Sequence, residues 1–164
     1  MFRKHVALLM TLMICCTSLG ACSKEAPITL EEFMKTMEEH NGPSIPLERK
    51  YEGVSFSVVD ATSKGASFQY ENRYDMIVGF GYRWHLFVST ESDYRYVDIK
   101  MKNLKYKDIL SGEPLLQHLD FKRLYKGLKP GSYRIVFPVE FPHDNGKHNS
   151  YNTVCLYADF EISK

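Results

Sequence analysis

The side chains of this sequence best suited to chemistry are a His/Asp cluster near the C-terminus and two of its cysteines. His143, Asp144 and His148 follow directly on Phe141-Pro142. Two imidazoles and a carboxylate are ligand types for zinc, whose catalytic sites use three such ligands and keep a fourth position open. The spacing is not that of a helical His-Glu-x-x-His, and Asp144-Asn145-Gly146 is a strong turn signal. Loop tips carry His and Asp without any role, so the three are weak candidates and the expected metal and cofactor content is none. Cys155 lies between Val154 and Leu156 in an alternating run, on the opposite strand face from both. With no base and orienting group assembled around it, a half-buried inert thiol is expected rather than a nucleophile. The chain has no Gly-x-Ser-x-Gly elbow and no glycine-rich phosphate loop between a strand and a helix, which leaves catalysis and nucleotide binding without support. The other notable cysteine is Cys22, at the end of Leu19-Gly20-Ala21-Cys22.

The residues before Cys22 explain it. Arg3 and Lys4 precede an apolar run from Val6 to Ile14, and small residues then lead to the cysteine. That is the layout of a secretory signal, and the run is shorter than the roughly 20 residues of a spanning helix. The stretch resembles the lipobox of bacterial lipoproteins. The resemblance implies cleavage before Cys22, a diacylglycerol on its thiol, and a location on the extracytoplasmic side of the cell membrane. Two or three acyl chains hold a protein to a bilayer stably where one holds it marginally.

Removing residues 1–21 leaves a chain of ordinary single-domain length. The full chain carries a net charge of +1, and loss of Arg3 and Lys4 takes the mature chain to −1. No basic surplus supports nucleic-acid binding. Cys15 and Cys16 leave with the signal and Cys22 is taken by lipid, so Cys155 has no intrachain partner and the domain must stand without a disulfide.

The elements that must position these residues follow from periodicity. Thr29 and Glu32 form a capping box, and Leu30, Phe33, Met34 and Met37 recur at helical spacing until Asn41-Gly42-Pro43, which predicts a helix from Leu30 to His40. Its Met-rich stripe either docks on its own domain, the favoured reading, or serves as a docking element for a membrane complex. From Tyr51 the period becomes two. Alternating runs begin at Val54, Ala66, Tyr82, Tyr94, Tyr133 and Val154, predicting six or seven antiparallel strands. Residues 100–126 are ambiguous, with Leu115 to Leu124 able to supply a strand, a helical turn or both. Alternation puts His85 on the face opposite Trp84, an outward position. Arg83, His85 and Tyr157 are the candidate partner-binding residues, since interfaces enrich Tyr and Arg at their centres. His40 and His118 show no partner in the sequence.

Trp84, the only tryptophan, falls on the third alternating run, and Leu128-Lys129-Pro130-Gly131-Ser132-Tyr133 looks like the corner where a tyrosine hydroxyl bonds back to upstream backbone. Phe68-Gln69-Tyr70-Glu71-Asn72, Phe80-Gly81-Tyr82-Arg83-Trp84 and Ala158-Asp159-Phe160-Glu161-Ile162 complete a pattern. It resembles the immunoglobulin-like domain of small lipoproteins and membrane proteins of Gram-positive bacteria. The resemblance covers roughly residues 50–164. It departs at Phe80, which displaces a glycine, and in the 100–126 connection, which lacks the Pro-rich segment. It implies an all-β immunoglobulin-like sandwich and brings no catalytic motif. The expected organisation is a signal peptide over 1–21, a lipidated tether and short helix over 22–49, and the sandwich over 50–164. The expected function is non-enzymatic: a lipid-anchored envelope protein that binds a protein or glycan. The alternatives are an accessory subunit of a membrane complex and a metal-dependent factor using the His143/Asp144/His148 loop.

Overall fold

The computed structural model describes residues 27–41, 45–74, 78–80, 84–97, 107–109, 112, 114–142 and 151–163. Cys22, Arg83, His143, Asp144 and His148 lie outside them, as does the proposed signal segment.

Helix α1 (Leu30–Asn41) starts where the capping box places it. The Thr29 amide donates to Glu32 Oε2 at 2.7 Å and the Glu32 amide donates to Thr29 Oγ1 at 3.1 Å, each satisfying a donor the helix cannot. The bonds that the Thr29 amide and hydroxyl donate to the Glu32 carboxyl hold it below its usual value.

The strands are β1 (Leu47–Glu48), β2 (Lys50–Tyr51), β3 (Val54–Thr62), β4 (Gly65–Asn72), β5 (Val78–Phe80), β6 (His85–Ser89), β7 (Tyr94–Val97), β8 (Lys107–Ile109), β9 (Leu115–Asp120), β10 (Gly131–Pro142) and β11 (Tyr151–Ile162), with a short helix α2 (Phe121–Tyr125) between β9 and β10. The chain is therefore mostly β, in two sheets. One has the order β2-β3-β4-β9. In the seven-stranded sheet, β1 runs parallel to β11, and β11 pairs antiparallel along the whole of β10. The other edge of β10 is shared: β6 pairs with Tyr133 to Val136 and β5 with Val139 and Glu140. Strand β7 extends from β6, and β8 from β5.

The ambiguous Leu115 to Leu124 stretch supplies both a strand and a helical turn. Asp120 ends β9 and caps α2, its carboxylate accepting from the Arg123 amide at 2.9 Å. Lys126 then turns left-handed, at φ 63°, and stops the helix. The Leu128 amide bonds Ser63 O at 2.8 Å, tying this corner to the β3–β4 turn. Tyr133, at the start of β10, donates its hydroxyl to Lys129 O at 2.8 Å, the bond expected of the Leu128 to Tyr133 corner. At Gly65 a side chain has no room, because a Cβ would come within 2.8 Å of Leu119 O on the neighbouring strand.

Aromatic side chains from both sheets fill the space between them. Phe56 meets Phe137 with ring centres 4.8 Å apart, Tyr70 meets Phe137 at 5.4 Å, and Phe68 meets Phe160 at 6.1 Å. Trp84, Leu86, Ile135 and Leu156 complete this layer. A second, smaller core lies on the other face of the seven-stranded sheet, where Phe87, Val136 and Cys155 pack under Phe33 of α1 and Ile45.

That second core departs from the alternation reading. The centres of β6, β10 and β11 are buried on both faces, as the unbroken apolar triplets Leu86-Phe87-Val88, Ile135-Val136-Phe137 and Val154-Cys155-Leu156 allow. His85 is consequently not an open outward residue: its ring centre lies 4.4 Å from that of Phe33 and it is half-buried beneath α1. The helix docks on its own domain. The chain ahead of it is held as well, with the Tyr96 amide bonded to Ile28 O at 2.9 Å and Thr29 bridged to Arg95.

Candidate functional site

Beside α1, the outer face of the seven-stranded sheet turns polar and gathers charge around Tyr157. Register makes Arg134 of β10 the direct partner of Asp159 of β11, and one residue type per strand face puts both on the outer side. The guanidinium grips the carboxylate twice, Nε to Oδ1 at 2.7 Å and Nη2 to Oδ2 at 3.1 Å. It also stacks on two rings, 4.3 Å from the centre of Tyr94 and 4.1 Å from that of Tyr157. Burial opposes the charge on Arg134, but Asp159 and the two tyrosines outweigh it and the basicity of the group rises.

Arg49, in the link between β1 and β2, approaches the same carboxylate. Its Nη2 sits 2.7 Å from Asp159 Oδ2, its Nε donates to the Tyr157 hydroxyl at 3.3 Å, and its guanidinium lies 5.2 Å from the Tyr157 ring centre. Two cations therefore share one carboxylate, Asp159, with Glu161 the next acid on the same strand face. The two differ in exposure: the Arg134 side chain is 17% exposed and that of Arg49 68%. Arg134 is the fixed base of the cluster and Arg49 its free rim. Such a face can receive a carboxylate or a polar protein surface; it has no group placed to make or break a covalent bond.

Of the sequence candidates, Tyr157 sits at the centre of this face, whereas His85 is committed to Phe33 and Tyr96. Arg49 was absent from the candidate set because it reaches Tyr157 from 108 residues away. Arg134 and Asp159 were legible as a cross-strand pair from the alternation of the last two strands.

A serine–histidine pair also emerges. His118, unpartnered in the sequence, lies with Nδ1 3.2 Å from Ser67 Oγ on the exposed face of the four-stranded sheet. Asp60, Ser67 and His118 are register partners across β3, β4 and β9, but the serine stands in the middle of that row. A nucleophile relay needs the histidine between serine and acid. The row is a polar sheet surface. Among the described residues no group of three or more His, Cys, Asp or Glu side chains is placed to hold a metal.

Cys155 is fully buried, and desolvation pushes its thiol from 9.0 up to about 12. The native protein should therefore resist an alkylating thiol reagent at neutral pH and react at the rate of opening, which labelling with and without denaturant measures. The sign with pH follows: above about 9 the unfolded chain releases this proton while the folded one keeps it. The contribution is intact below that pH, and stability falls as pH climbs toward about 12. Tyr70, raised by burial, pulls in the same direction.

Comparison with known proteins finds no matching family model and no matching curated protein.

Proposed function

We propose that this protein is a non-enzymatic, lipid-anchored component of a bacterial cell envelope whose immunoglobulin-like domain binds a protein partner through the Arg49/Arg134/Tyr157 face. The observation that carries the binding reading is the shared carboxylate. Asp159 is already gripped twice by Arg134, so the exposed Arg49 has a charge that Asp159 does not fully offset and a position from which it can meet a partner's acid. Tyrosine and arginine are the side chains that protein interfaces favour at their energetic centres. A glycan is the less favoured partner, since sugars stack on open aromatic faces and Arg134 covers a face of both Tyr94 and Tyr157.

The immunoglobulin-like reading has three supports. Strands β3, β4 and β9 adjoin in one sheet while β6, β10 and β11 adjoin in the other, and the chain crosses between sheets after β1, β4, β8 and β9. The Tyr133 hydroxyl bonds back to Lys129 O at the last of these crossings. Trp84 is buried immediately before β6, which lies in the sheet opposite β4. The anchor reading rests on Arg3-Lys4, the short apolar run and Leu19-Gly20-Ala21-Cys22.

Both halves are tested in one strain. Metabolic labelling with an alkyne fatty acid should mark the native protein and be lost in Cys22→Ala; label that persists overturns the placement. A photo-crosslinking residue at Lys50, next to Arg49, should give one discrete adduct in intact cells. Arg49→Glu should weaken that adduct at least tenfold with the melting temperature unchanged, and an undiminished adduct sinks the binding face.

A further inference from the structure

A groove of about 420 Å³ opens between the β6–β7 pair and the corner that follows α2. Val88 and Val97 form one wall and Leu124, Tyr125 and Leu128 the other, and Lys126, Lys129 and Tyr133 are also among the lining residues. Its volume falls within the roughly 300–1,000 Å³ typical of small-molecule sites. Two properties narrow what it can hold.

The first is charge. From Phe121 to Tyr133 the chain carries Lys122, Arg123, Lys126 and Lys129 and no carboxylate. Asp120, the acid that directly precedes this stretch, is engaged at the α2 N-terminus by the Arg123 amide. The groove lining itself holds two lysines and no acid, so it complements an anion and repels a cation. The second is the scarcity of side-chain hydrogen-bonding groups. The lining contains no Ser, Thr, Asn, Gln or His; the Tyr133 hydroxyl is taken up by Lys129 O, and the Tyr125 hydroxyl is buried. A peptide laid in such a groove leaves its backbone amides and carbonyls unpaired, which is costly, whereas a hydrocarbon chain loses nothing.

We infer that this groove binds a long-chain fatty acid, with the alkyl chain between the β6–β7 wall and the α2 corner and the carboxylate at Lys126 and Lys129. The site is separate from the Arg49/Arg134/Tyr157 face and does not depend on it.

The chain carries its own reporter. Trp84 is the only tryptophan, and its ring centre lies 6.0 Å from that of Tyr125, which lines the groove. Titration of the purified full chain with a dibromostearate should quench Trp84 fluorescence to a plateau, and unbrominated stearate should restore it. The methyl ester, lacking the charge, should need at least tenfold more ligand to reach the same quenching. Lys126→Glu combined with Lys129→Glu should raise the half-saturating concentration of the acid at least tenfold, with the melting temperature held. Arg49→Glu, outside the groove, should leave the titration unchanged. Absence of a plateau overturns the inference, and so does equal quenching by acid and ester. An undiminished response in the double lysine variant overturns the placement of the carboxylate. Competition by an apolar peptide as effective as stearate would assign the groove to a peptide instead.

Discussion

Phe137→Ala should destabilise this protein by about 3–5 kcal/mol, the range for truncating a buried aromatic in a close-packed core. Phe137 is 3% exposed and comes from the middle of β10, yet its ring lies edge-on against Phe56 and Tyr70 of the other sheet. Removing it leaves a void that two sheets cannot close without shearing against each other, so little of the loss is recovered by relaxation. Against a total stability of roughly 5–15 kcal/mol this is a large share, and it should lower the melting temperature by roughly 10 °C or more. Leu116→Ala is the matched control. That side chain is 63% exposed on β9, and its loss should stay within about 0.5 kcal/mol. Chemical denaturation of both variants followed by Trp84 fluorescence measures the difference. Equal midpoints for the two would mean that the inter-sheet aromatic layer does not hold the fold together.

What the sequence displayed of this fold is what short-range chemistry encodes. The capping box at Thr29 and Glu32 needs only four residues, the α2 corner and the Tyr133 bond need five, and the β10–β11 ladder is written in two long runs of alternation. These survive because no distant contact is required to specify them. Strand β1 was invisible for the opposite reason. Two residues carry no period, and Leu47 and Glu48 are a strand only because Cys155 and Leu156 lie alongside. The second core was hidden by the same logic. Alternation says that two faces differ, but whether the second face meets water or a helix depends on where α1 docks, and that is settled by Phe33 meeting Phe87 and His85.

The candidate site divides along that line. Arg134, Tyr157 and Asp159 were readable as neighbours on one strand face, since period two and antiparallel pairing place them together. Arg49 was not, because it belongs to the β1–β2 link, whose position depends on the same long-range pairing that hid β1. His85 lies on the face opposite Trp84, as alternation places it; that a helix half-covers it there depends on where α1 docks. The groove beside α2 could be approached only through its charges, since the cluster of lysines from Lys122 to Lys129 is visible in the chain while the wall formed by Val88 and Val97 is not.

Phe33→Ala should have a large effect of a different kind, because the two cores lie on opposite faces of one sheet. Phe33 is the buried residue of α1, and its ring meets His85 at 4.4 Å and Phe87 at 5.4 Å. Truncation removes about 3–4 kcal/mol of contact, comparable to Phe137→Ala. The helix, however, has another way to respond. It makes few other buried contacts, with Leu30, Met34 and Met37 only partly covered, so it can lift off while the inter-sheet layer stays closed. Cys155 then reports the difference, since it lies beneath the helix face whereas Trp84 lies between the sheets. In Phe33→Ala the thiol should label at least tenfold faster under native conditions while Trp84 emission stays native; in Phe137→Ala thiol exposure and the emission change should track one another. If Phe33→Ala also loses both together, α1 and the sheets form a single cooperative unit. In the anchored protein proposed above, lifting of α1 has a mechanical meaning. The docked helix, with Ile28 O held by the Tyr96 amide, leaves only the few residues ahead of Ile28 as tether, whereas release of both contacts adds twelve residues and up to roughly 40 Å of extended reach. The contact between Phe33 and the sheet would therefore set how far from the bilayer the Arg49 face can find its partner.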